Sequence, residues 1–181
     1  MDLGCGEGRL LRELLKDRQF EEILGLDASH RALEIASDKL KLERLPDQKR
    51  EKIKLLHGAL TYRDDRLRGY DAAALVEVIE HLDAPRLKAF ERAIFEFARP
   101  ETVVVTTPNR EYNVKWESLP AGKLRHRDHR FEWNRAEFGN WAEKVASDYG
   151  YEIEVSALGP VDEELGAPSQ MAVFRRKLNE G

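Results

Sequence analysis

The chain has a single cysteine, Cys5, among 181 residues, so no disulfide can close within it. A small thiol set between glycines reads as packing. No apolar run approaches the roughly 20 residues that span a bilayer. The first residues also lack a basic stretch followed by an apolar core and a cleavage site. The expected location is therefore cytoplasmic. Repeats, low-complexity tracts and Gly/Ser linkers are missing too, which argues for a single domain over residues 1–181. A large charge of either sign is absent: 30 Lys and Arg face 34 Asp and Glu, a net of −4. That balance excludes a protein that coats nucleic acid by bulk charge, and it leaves room for a local basic surface.

What is present is an alternation of short apolar runs with helical periodicity, the pattern of βα units around a mainly parallel sheet. Strands are expected at Met1 to Leu3, Ile23 to Leu26, Ile53 to Leu56, Asp71 to Val76 and Thr102 to Thr106. Two closing strands follow, Tyr151 to Ala157 and Met171 to Arg175, the last antiparallel. Ser29 predicts the start of a helix running to about Leu45, followed by a polar break over Pro46 to Lys52. Asp83 with Pro85 predicts another helix. Asn134 with Glu137 predicts a capping box for a helix that Gly150 ends after Tyr149. The first strand has to begin before Met1, so the chain is expected to be a fragment of a longer protein with a truncated first strand.

Asp2-Leu3-Gly4-Cys5-Gly6-Glu7-Gly8 places glycines at a strand-to-helix turn, where the backbone bends tightly and lets a ligand approach. Asp27 ends the next strand about 20 residues later, where a carboxylate can accept both ribose hydroxyls of a nucleoside. The spacing is Gly-x-Gly-x-Gly, acidic before and within, which suits a cationic cofactor better than a pyrophosphate. This loop resembles the first motif of class I S-adenosylmethionine methyltransferases, which implies a Rossmann-like fold. In that family the loop after the third strand packs on adenine, and His57-Gly58-Ala59-Leu60 stands there. The resemblance implies cofactor contacts from Asp2, Gly4, Gly6, Asp27, Ala28, Ala59 and Leu60.

Glu77-Val78-Ile79-Glu80-His81 follows the fourth strand. If the chain turns helical there, Glu77, Glu80 and His81 share a face and can hold Mg²⁺ or Mn²⁺. Quinone-pathway O-methyltransferases have a similar Glu-x-x-Glu-His stretch, so these five residues alone leave the chemistry open. Farther on, after Thr107-Pro108-Asn109, a basic and aromatic segment includes Leu124-Arg125-His126-Arg127-Asp128-His129-Arg130-Phe131-Glu132-Trp133.

Together, the cofactor loop, the Glu-x-x-Glu-His cluster and the distant Asp-His-x-Phe-Glu-Trp element resemble the HUA-enhancer-type RNA methyltransferases from Asp2 to about Trp141. These act on the 3′-terminal ribose of small RNAs in eukaryotes and of repaired RNAs in bacteria. The resemblance implies Glu77, Glu80, His81 and His129 as metal ligands and catalytic residues, and Asp27 as the holder of the cofactor ribose. It implies transfer of methyl to the 2′-oxygen of a 3′-terminal ribose. It further implies an RNA end-healing and ligating protein as partner through the part preceding Met1. His126, His30 and His57 are expected to be surface histidines. Arg125, Arg127 and Arg130 are expected to contact terminal phosphates, and Trp116, Phe131 or Trp133 to stack on an end base, with core packing favoured for Trp133. Either His81 or His129 can take the proton. Two alternatives stand beside this reading: a small-molecule O-methyltransferase with an apolar acceptor pocket, and a cofactor-binding module without catalysis.

Overall fold

The computed structural model describes residues 1–120 and 122–177. Seven strands form one sheet: β1 (Asp2–Leu3), β2 (Ile23–Asp27), β3 (Ile53–His57), β4 (Ala72–Val76), β5 (Thr102–Pro108), β6 (Tyr151–Leu158) and β7 (Ser169–Arg176). Their spatial order is β3-β2-β1-β4-β5-β7-β6. All neighbouring pairs are parallel except those of β7, which runs antiparallel to both β5 and β6. The order reverses between β1 and β4, so a crevice opens there at the carboxyl ends of the strands, where ligands bind in open α/β sheets.

The helices follow from local signals. Ser29 caps α2 (His30–Leu40) by accepting a hydrogen bond from the Ala32 amide. Asn134 and Glu137 form the expected reciprocal capping box of α5 (Arg135–Tyr149), and Gly150 ends that helix in the left-handed region at φ 75°. The short α1 (Arg9–Leu14) follows the glycine loop. Helix α4 (Ala84–Glu91) starts after Asp83, with Pro85 in its first turn, and widens into a π-helical segment over Arg92–Ala98.

Two expectations are corrected. The helix after Ser29 stops at Leu40 rather than Leu45, because Lys41 turns left-handed at φ 53°. The polar break contains a short helix, α3 (Asp47–Lys52), which Pro46 leads into.

Side chains alternate across the strands with a period of two. Leu24 and Leu26 join a core with Leu75, Val103, Val105, Phe90, Phe138 and Phe174, while Ile23 joins a second core with Leu11, Leu33 and Leu40. Leu11, Phe90, Phe138 and Phe174 are fully buried. Burying such a side chain contributes about 1.5–3 kcal/mol, so both ends of the sheet are rigid supports for their loops. Among the described residues no helix is long and apolar enough to cross a membrane.

Candidate active site

The cofactor half of the crevice is held by backbone geometry. Gly4, Gly6 and Gly8 all take positive φ, at 80°, 50° and 79°. The amides of Gly4 and Cys5 donate to the Leu26 carbonyl at 2.7 and 3.0 Å, tying the loop to the end of β2. Asp27 completes the tie: one carboxylate oxygen accepts from the Gly6 amide and the other from the Ser29 amide, both at 2.8 Å. The space a Cβ would fill at Gly6 is open.

Asp2 is nearly fully buried, and its carboxyl is pushed up to about 6 by burial, with the charge of Asp27 adding to the effect. A cation beside this pair would restore the ionised form, as expected of a site for a sulfonium or ammonium group. Ala28 and Ala59 are exposed at the rim, and the Ala28 carbonyl lies 2.9 Å from His57 Nε2. His57 thus braces the loop after β2 from an exposed position. Leu60 is buried with the core and presents little surface to a ligand.

The second half of the crevice is built from side chains far apart in sequence. Glu80, His81 and His129 each offer a ligand atom, and these atoms lie within 4.8 Å of one another. Glu80 is fully buried: Oε2 accepts from Thr107 Oγ1 at 3.0 Å, whereas Oε1 has no hydrogen-bond partner among the described residues. Burial raises the Glu80 carboxyl to about 8, with Glu77 and Glu132 adding their charge. A buried carboxylate oxygen without a donor is costly unless a cation approaches it. A carboxylate and two imidazoles make a suitable donor set for a divalent ion. Burial also lowers the His81 pKa, aided by His129, which favours the neutral, ligating form.

Glu77 does not share a helix face with these residues. Its amide still bonds Thr106 of β5 at 3.1 Å, so residue 77 is tied to the sheet just past the end of β4, and the chain turns sharply through φ 55° at Glu77 itself. Only Ile79–His81 forms a helical turn, of the tighter 3₁₀ kind. A left-handed conformation at a residue with a Cβ costs about 1–2 kcal/mol, a strain that clusters at functional sites. The Glu77 carboxylate accepts from Thr106 Oγ1 at 3.2 Å and stands outside the close trio. Burial raises its pKa as well.

The loop carrying His129 is pinned to the loop carrying Glu80, because the Arg130 amide donates to the Glu80 carbonyl at 2.7 Å. It is also pinned to a short 3₁₀ helix, Arg110–Lys115. Arg125, expected on phosphates, is turned inward. Its Nε donates to Asn113 Oδ1 at 2.6 Å and its Nη2 to the Asn109 carbonyl at 2.7 Å, with its own amide bonded to Glu132 Oε1. Those bonds hold the loop, and burial lowers its pKa against the pull of Glu132, Glu77 and Glu80. Arg127 is solvent-exposed and lies 3.7 Å from Asp128. Arg130 is exposed and lies 3.4 Å from Asp83. His126 is exposed and outside the trio. Trp116 is half exposed beneath the Arg125 guanidinium, whereas Trp133 packs on Phe131 and against the core.

Several buried partners were given no role from the sequence: Thr107, Asn109, Asn113, Glu132 and Gln170. Gln170 Nε2 donates to the carbonyls of Pro108 and Trp133, joining β7 to the loop. The His129-to-Glu132 spacing of three was the one available cue. Two clefts of about 610 and 800 Å³ lie elsewhere, and neither is lined by a residue of either constellation.

A family model described as a methyltransferase domain matches residues 1–104. The small RNA 2′-O-methyltransferase of Xenopus tropicalis is 37% identical over 99% of this chain and 50% of its own length. The crystal structure of the methyltransferase domain of bacterial CtHen1 is 55% identical, with a TM-score of 0.89, over 98% of this chain and 88% of that one. The crystal structure of the small RNA methyltransferase HEN1 is 33% identical, with a TM-score of 0.85, over 97% of this chain and 23% of that one. The chain thus spans about half the length of the first of these relatives. By the family model and by identity and coverage against the CtHen1 domain, the chain belongs to the methyltransferase-domain family, among the Hen1-type methyltransferase domains.

Proposed function

We propose that this domain transfers a methyl group from S-adenosylmethionine to the 2′-oxygen of the 3′-terminal ribose of RNA, with Mg²⁺ or Mn²⁺ held by Glu80, His81 and His129 and by Glu77 as a fourth ligand. The observation that carries the metal assignment is the orphaned Glu80 Oε1, buried beside two imidazoles. Relatives named small RNA 2′-O-methyltransferases support the substrate. A bound divalent ion supplies Lewis-acid polarisation and lowers the pKa of a neighbouring ribose hydroxyl.

The chain's own residues do the rest. Asp27, with both oxygens already facing the loop amides, presents its remaining lone pairs to the cofactor ribose. Asp2 supplies a second acidic group beside the positive cofactor. The two halves meet at the reversal of strand order: a Cβ on Gly4 would stand 2.7 Å from Val78 Cγ2, within the Glu77-to-His81 turn. This nearness suits in-line attack, in which the 2′-oxygen forms a bond to the methyl carbon, the sulfur–methyl bond breaks, and the sulfur leaves as a neutral thioether. The ribose proton, made more acidic by the ion, passes to water, because His81 and His129 each give one nitrogen to the ion and His129 Nδ1 is committed to Glu132. Trp116 offers a stacking face for an end base, and Arg127 and Arg130 offer charge to phosphates. An RNA end-healing and ligating protein is the proposed partner.

The test is transfer of label from S-adenosylmethionine to a short RNA with and without Mn²⁺ or Mg²⁺, beside the same RNA ending in 2′-deoxyribose and in 3′-deoxyribose. Metal-dependent labelling of the normal RNA alone supports the proposal. Equal labelling of the 3′-deoxy RNA would show that the vicinal diol is not read, and labelling without metal would remove the ion from the mechanism.

A further inference from the structure

We infer that Glu132 is a positioning residue that selects the tautomer of His129, holding the proton on Nδ1 so that Nε2 keeps its lone pair for the ion. This inference rests on the metal reading above.

Glu132 is 1% exposed, and both of its carboxylate oxygens are hydrogen-bonded. Its Oε1 lies 2.6 Å from His129 Nδ1 and also accepts the Arg125 amide at 2.7 Å. Its Oε2 accepts Asn113 Nδ2 at 2.5 Å. An oxygen already accepting from a backbone N–H faces Nδ1 as an acceptor, so Nδ1 must carry the proton. A lone pair at that distance would be repelled. The remaining nitrogen, Nε2, is then the one free for the group formed with Glu80 and His81, whose ring stands edge-on to His129 at 4.8 Å between centroids.

The carboxylate cannot drift. Asn113 is itself fixed by Arg125 Nε, and Arg125 is fixed by the Asn109 carbonyl. The chain from β5 through the Arg110–Lys115 helix to Glu132 therefore sets the ring angle of His129. A buried partner of this kind tunes a ligand without touching the ion, and its loss typically weakens metal binding about 10- to 100-fold.

Glu132→Gln is nearly isosteric but cannot satisfy both sides. Its amide nitrogen would face either Asn113 Nδ2 or His129 Nδ1, and the second arrangement pushes the proton to Nε2. Binding of Mn²⁺ to the protein without cofactor or RNA, read from the electron paramagnetic resonance of the free ion, should weaken about 10- to 100-fold. Affinity for S-adenosylmethionine, read by calorimetry, should stay within about twofold and shows that the variant is folded. Nitrogen-15 spectra of the wild-type imidazoles at pH 8 without metal provide a second measurement that needs no variant, and they should show His129 protonated at Nδ1. Unchanged Mn²⁺ affinity in Glu132→Gln, or a wild-type His129 protonated at Nε2, overturns the inference and leaves the metal site intact. A wild-type protein that binds no Mn²⁺ overturns the metal reading itself and this inference with it.

Discussion

The two halves of the sheet edge reach similar precision by opposite means. On the cofactor side, Gly4, Cys5, Gly6 and Ser29 are held through their own amides by Leu26 and Asp27, all within the first 29 residues. On the metal side, Glu80, His81 and His129 are held close by side chains from a strand, a short helix and a loop: Thr107, Asn113, and Arg125 with Glu132. The first half is a local backbone shape that needs glycine and one acid. The second is a buried polar network, which rigidifies when every member is satisfied and is costly when one is not. Here one atom, Glu80 Oε1, is left over. The difference teaches that a folded cofactor loop does not entail a folded metal site, and the two should fail separately.

The sharpest way to separate them is Glu80→Gln, which removes a ligand charge. Metal-dependent methyl transfer should fall by about 10³-fold or more, the several kcal/mol that such an ion supplies, while S-adenosylmethionine affinity holds; parallel transfer assays and calorimetry check this. The converse variant is Asp27→Ala, which removes two amide bonds and the acceptor proposed for the cofactor ribose. Cofactor affinity should fall about 10- to 100-fold, by one to a few kcal/mol, with Mn²⁺ binding unchanged in the same calorimeter.

Gly4→Ala should break the separation. Its Cβ would collide with Val78 at 2.7 Å in a left-handed conformation, so a melt should show a loss of about 1–3 kcal/mol and binding experiments a weakening of both ligands. Intact Mn²⁺ affinity in that variant would show that the halves are not mechanically joined through Val78.

The pH dependence of the metal-free protein bears on the metal side above about pH 6, since Asp2 on the cofactor side is pushed up only to about 6. Glu80 titrates near 8 in the fold, raised chiefly by burial, against an ordinary value of 4.5. With the folded value the higher one, its favourable contribution is complete below about 4.5 and is lost as pH rises through 8. The slope is at most about 1.4 kcal/mol per pH unit. Denaturant titrations across that window should show the decline, and saturating Mn²⁺ should flatten it. The smallest effect is expected for Arg127→Ala. It should weaken RNA binding only a few-fold and reduce the salt slope by about 1, measured by fluorescence anisotropy at several salt concentrations.

Local signals were legible wherever the physics is local. The glycine spacing, Asp27, the Ser29 cap, the Asn134/Glu137 capping box and the Gly150 stop need only neighbours in sequence, and each stands where the residues imply. The parallel sheet with a reversed last strand was readable from the alternation of apolar runs. The Glu77-to-His81 stretch misled because helical spacing suggested a shared face, whereas the bond from the Glu77 amide to Thr106 ties that residue to the end of the sheet and the chain turns at Glu77 itself. Arg125 misled for a related reason. An arginine in a basic loop looks like a phosphate ligand until the buried Asn109 and Asn113 prove to be its partners.

By itself, then, the sequence determined the chemical inventory and the locally encoded turns, since donor types and short-range caps do not depend on distant contacts. Only the tertiary structure decided which carboxylate is orphaned, which histidines meet, which arginine is structural and which buried acid faces His129. Those outcomes depend on burial and on distances between loops that no spacing along the chain contains.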